Sequence, residues 1–114
     1  HGFIIVERNY WKKWGEIDIV ADKDTAVGGA STLHFIEVKA VARKIQPFDS
    51  AQGNYAPEEN VHSWKLQRLS RAIQTYLLER KIDDEREWQI DVITVELDFA
   101  TRNARVRMLE DVAL

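Results

Sequence analysis

Apolar residues recur with two different periods along this chain. Residues 2–8, Gly-Phe-Ile-Ile-Val-Glu-Arg, form a β-rich run and predict a strand. Residues 16–21 alternate as Glu, Ile, Asp, Ile, Val, Ala, and residues 32–41 are rich in Phe, Ile and Val. The polar segment between them carries Gly28-Gly29, a hairpin-turn signal. From Ser63 onward, Leu66, Leu69, Ile73, Tyr76 and Leu77 follow spacings of 3, 4, 3 and 1, which predict an amphipathic helix to about Lys81. Residues 88–97 and 104–110 read as two further strands. Residues 42–62, with Pro47, Gly53 and Pro57, are a long polar connection for a compact domain.

The predicted order is β-β-β-α-β-β, with no internal repeat. It fits one α/β domain over residues 1–114, built on a sheet of mixed strand direction. Side chains alternate faces along a strand. Strict alternation puts Glu16 and Asp18 on one face, with Ile17 and Ile19 on the other. On the next strand it puts Glu37 and Lys39 on the face of Phe35, with Ile36 and Val38 pointing away.

Composition narrows the function classes. The chain has no cysteine, which excludes disulfides, thiolate metal sites and cysteine nucleophiles and fits a reducing, cytoplasmic setting. No apolar run approaches the roughly 20 residues that span a bilayer. The net charge of −3 gives no overall argument for nucleic acid. The charge is uneven, however. Between Lys39 and Lys81 lie Arg43, Lys44, Lys65, Arg68, Arg71 and Arg80, and a local field is what meets phosphate.

The chemistry concentrates in Gly15-Glu-Ile-Asp-Ile-Val-Ala21 and His34-Phe-Ile-Glu-Val-Lys-Ala40. Asp18 and Glu37 on adjacent strands could share a Mg²⁺ or Mn²⁺ ion, which takes oxygen ligands and keeps several waters. The Val38 carbonyl is a candidate third ligand. Lys39 could steady the attacking water or the charge that develops on phosphate. A Glu and a Lys two apart on a strand more often mark a solvated face. Asp18 between two isoleucines is less ordinary, because Asp is depleted in strands.

Two further groups of residues carry alternatives. Tyr10-Trp11-Lys12-Lys13-Trp14 could stack on bases and contact phosphates; the competing reading is a strand-end loop whose tryptophans pack on the core. Lys65, Arg68 and Arg71 lie on the polar helix face and could contact a nucleic-acid backbone. His34 and His62 stand isolated, and neither is expected to ligate a metal.

The segments Gly-Glu-Ile-Asp and Glu-Val-Lys resemble the signature of the YraN family of bacterial proteins. The opening Gly2–Ala21, the Ala56–Val61 segment with Lys65, the helix through Leu77 and the strand at 90–97 resemble the family as well. That family is similar to archaeal Holliday-junction resolvases and belongs to the PD-(D/E)XK nuclease superfamily. The resemblance implies a restriction-endonuclease-like mixed central sheet flanked by helix. It also implies metal ligands at Asp18 and Glu37, a catalytic lysine at Lys39, and Mg²⁺-dependent cutting of structured DNA, branched DNA included. Lys65 matches a family position at the helix start. Family members usually begin with a helix bearing a Gly-Glu pair, and this chain as given starts after that point. Superfamily nucleases are often dimeric because two cuts need two sites, which leaves a homodimer open. The alternatives are a nucleic-acid-binding module of the same fold without catalysis, and a protein-interaction domain docking through the tryptophan-rich edge.

Overall fold

The computed structural model describes residues 2–24, 31–42 and 63–112. The strands are β1 (Phe3–Lys12), β2 (Gly15–Asp24), β3 (Ser31–Ala42), β4 (Trp88–Asp98) and β5 (Asn103–Leu109), and one helix, α1 (Ser63–Glu79), lies between β3 and β4. They form one sheet in the order β1-β2-β3-β4-β5. All neighbours are antiparallel except β3 and β4, which run parallel. A parallel pair needs a crossover, and α1 lies in it. The expected Gly28-Gly29 turn and residues 43–62 of the polar connection lie outside the described residues.

The helix follows from its apolar stripe. Leu69, Ala72, Ile73 and Tyr76 are buried against Ile17 and Val20 of β2, Leu33 and Phe35 of β3, Ile90 of β4 and Tyr10 of β1. Tyr76 is the hub: the Tyr10 ring meets it edge-on at 5.1 Å and the Phe35 ring at 5.5 Å. Edge-to-face pairs of this kind add to what area burial contributes. The end of α1 is tied to β1 by charge. Arg80 grips Glu7 through both carboxylate oxygens, at 3.1 and 2.8 Å, and Lys12 meets Glu79 at 2.6 Å.

Two features differ from the sequence reading. β1 does not stop at Arg8 but continues through Lys12, and only Lys13 and Trp14 separate it from β2. Tyr10 is therefore a core residue, while Trp11 and Trp14 are exposed, so the tryptophans do not pack into the core. Strict alternation also fails in β2. Ile17 and Val20 stand three residues apart, yet both enter the same core. β1 carries a matching irregularity: Glu7 and Tyr10, again three apart, both reach the end of α1, with Asn9 between them at a φ of 55°. Positive φ in a non-glycine residue marks a local break in strand geometry, and Asn is among the residues that tolerate it. Asp18 sits inside this break, so its direction does not follow from counting residues.

The far face of the sheet has its own polar cluster. His34 Nδ1 and Asp91 Oδ2 lie 2.5 Å apart, both buried, and the Phe3 ring packs edge-on against His34 at 4.9 Å. His34 has an acidic partner that no local spacing reveals.

Candidate metal centre

The β2–β3 pairing runs from Asp24↔Ser31 to Ile19↔Ile36 and stops. One residue further, the carboxylate of Asp18 takes the place of a backbone partner. The Val38 amide donates to Asp18 Oδ2 at 2.8 Å. In a strand the N–H and C=O of one residue point to the same edge. The Val38 carbonyl therefore faces the same opening between β2 and β3 that Asp18 enters.

Glu37 lies on the helix side of β3, two residues beyond the buried Phe35. Its side chain is only 13% exposed, and the Lys65 ammonium approaches it at 3.5 Å from the first turn of α1. Burial pushes the Glu37 carboxyl up to about 7, and the negative charge of Asp18 pushes the same way; Lys65 opposes them and Glu16 adds a smaller upward push. Glu37, Lys65 and Glu16 line one pocket of about 120 Å³ together with Trp11, Gly15, Arg68 and Leu69. Lys39 is the next residue on the Glu37 face, level with Thr94 of β4. The Thr94 hydroxyl is buried without a hydrogen-bond partner among the described residues.

The structure thus brings Asp18, Glu37 and Val38 to one place, with Lys39 and Lys65 beside it. Arg68 lines the same pocket, and its Nε donates to the Trp14 carbonyl at 3.3 Å. Three other expected contacts lie apart. The Lys12 ammonium is engaged with Glu79 near the other end of α1, Lys13 lies in the β1–β2 turn, and Arg71 is exposed on the helix. Trp11, which the sequence offered as a base-stacking candidate, and Glu16, to which it gave no role, also line the pocket.

The donor set suits a hard divalent cation. It offers carboxylate and carbonyl oxygen, with no thiolate or imidazole. Among the described residues no group of three or more His, Cys, Asp and Glu side chains is gathered for a metal. An ion here would rest on two carboxylates, one carbonyl and its own waters. The mutual repulsion at Glu37 is what a cation would relieve.

A pH dependence follows. The Glu37 pKa rises from 4.5 in the unfolded chain to about 7 in the fold, so the folded protein holds the proton more tightly. The stabilisation from this group is complete below pH 4.5 and is lost as pH rises through 7. Urea midpoints measured in a chelator should therefore fall for the wild type from pH 5 to 8 relative to Glu37→Gln. Parallel curves for the two proteins would remove the shift.

A mixed sheet with a crossover helix, and an acidic pair where two of its central strands part, define a restriction-endonuclease-like α/β protein. Comparison with known proteins makes the assignment specific. The chain belongs to uncharacterised protein family UPF0102, the YraN family, whose model matches residues 1–95. It is 30% identical over 114 residues to a UPF0102 protein of Campylobacter hominis, covering 100% of this chain and 80% of that one. A Sulfurovum relative is 34% identical over 114 residues, covering 99% and 80% of the two chains. One from Campylobacter jejuni subsp. doylei is 36% identical over 97 residues, covering 85% and 70%. Among the described residues, no helix is long and apolar enough to cross a membrane.

Proposed function

We propose that this protein is a divalent-metal-dependent endonuclease acting on structured DNA, branched DNA included. The observation that carries the reading is the Asp18 carboxylate bound to the Val38 amide where the β2–β3 pairing ends, one residue from the largely buried Glu37, whose carboxyl the charge of Asp18 helps to push up. Asp18, Glu37 and the Val38 carbonyl would hold Mg²⁺ or Mn²⁺. When bound, the ion lowers the pKa of a coordinated water and polarises a phosphoryl oxygen. Lys39 would steady the attacking water and the charge gathering on phosphate. Lys65 compensates Glu37 in the free protein and would meet a phosphate oxygen when substrate arrives.

Calorimetric titration with Mg²⁺ and Mn²⁺ tests the metal site: the wild type should bind and Asp18→Ala should not. A cleavage assay on four-way junction, flapped, single-stranded and duplex DNA tests the reaction, with Lys39→Ala expected to fall to background. A second reading, a nucleic-acid-binding module of the same fold without catalysis, draws on the Lys65–Glu37 pair, which already compensates one of the two acids. DNA binding without Lys39-dependent cutting would favour it.

A further inference from the structure

Three aromatic residues of the β1–β2 hairpin share a short stretch of sequence but have different fates. Tyr10 is buried, and its hydroxyl donates to Glu79 at 2.6 Å. Trp14 is held on the helix by a hydrogen bond from its indole nitrogen to the Thr75 hydroxyl at 3.1 Å. Trp11 remains 65% exposed although it is the largest kind of apolar side chain. It is also a wall of the pocket that contains Glu37, Lys65 and Arg68. A ligand lying flat on this indole would remove apolar surface from water, which favours its binding.

We propose that Trp11 is a stacking platform for a nucleobase, and that the site takes nucleic acid whose base beside the bound phosphate is unpaired. The inference rests on the phosphodiester-binding role proposed above for the same site. Its chemistry is selective. Inside a duplex both faces of each base are covered by neighbouring bases, so a protein ring has no face to meet. In a single strand, or where strands separate at a branch, a base presents a free π-face, and an exposed indole supplies the complementary one. Lys65 and Arg68 on the same wall supply positive charge for the adjoining phosphates, and Lys13 stands two residues from Trp11 in the turn.

The test uses the full chain in a chelator, so that no cutting occurs. Fluorescence anisotropy would compare a short single-stranded DNA with the blunt duplex of the same sequence, at one salt concentration. The proteins are wild type, Trp11→Ala and Trp11→Phe, each checked for unchanged melting. Trp11→Ala should weaken single-strand binding about tenfold, the usual size of one lost base–aromatic stack, with duplex binding changed less than about twofold. Trp11→Phe should recover most of the loss. Equal loss on both DNAs, no loss on the single strand, or a wild-type preference for blunt duplex would overturn the proposal. The assay contains no metal and the metal titration contains no DNA. A wild type that binds no metal, or an Asp18→Ala that binds as well as the wild type, therefore counts against the nuclease reading, and a failed stacking result counts against Trp11 alone.

Discussion

Replacing Gly15 with alanine should lower the unfolding free energy by about 3 kcal/mol, at the upper end of what overpacking a tight contact costs. A methyl group built on Gly15 would stand 2.2 Å from the carbonyl oxygen of Arg68 and 2.9 Å from its carbonyl carbon, with the Ala72 Cβ at 3.4 Å. The two nearest atoms belong to the backbone of α1, which cannot rotate away as a side chain would. The helix must then lift from β2. That movement opens the core where Ile17 meets Leu69 and Ala72, and it carries Lys65 and Arg68 away from Glu37. Urea midpoints would measure the loss. Adding Arg68→Ala should restore nothing, because the clash is with the main chain. A Gly15→Ala protein as stable as the wild type would mean that the helix does not approach so closely.

The same contact shows why some of the site was legible in the sequence and some was not. Glycine before Glu16 reads as part of a motif, but its physical reason is an approach of helix backbone to strand backbone, set by residues more than fifty positions away. Parity placed Glu37 correctly with Phe35, because β3 is regular beside β4 over its whole paired length. Parity misplaced the neighbours of Asp18, because Ile17 and Val20 both enter the core and an Ile-Asp-Ile-Val run carries no mark of that break. The helix was legible because one apolar stripe sufficed to define it. The fates of Lys12, Trp11 and Trp14 were not, since each depends on what α1 presents across the fold. A tight turn at Lys13-Trp14 also lacks the glycine or asparagine that usually announces one.

His34 makes that limit sharper and leads to the second large effect. Its partner, Asp91, lies 57 positions away and is brought level only by the parallel register of β3 and β4, in which Ile36 pairs with Asp91 and His34 with Gln89. Asp91 is fully buried and its carboxylate is shared. Oδ2 meets His34, while Oδ1 accepts from Gln89 Nε2 at 2.8 Å and from the Asp111 amide at 3.0 Å. The next amide, that of Val112, donates to the Ile90 carbonyl at 2.7 Å, and Val112 packs on the core. One carboxylate therefore satisfies a buried imidazole and also pins the chain after β5 onto β4. Asp91→Ala should cost about 3–5 kcal/mol, the range for removing one member of a buried, hydrogen-bonded pair and leaving the other without a partner. Asp91→Asn should cost less, because its amide oxygen can still accept from Asp111 while its amide nitrogen faces His34. Hydrogen exchange separates this account from a general loss of stability. In Asp91→Ala the Val112 amide should lose more protection than the amides of α1, and in Asp91→Asn it should keep most of it. Equal loss across the sheet and helix would show that Asp91 stabilises the fold as a whole and does not pin this segment.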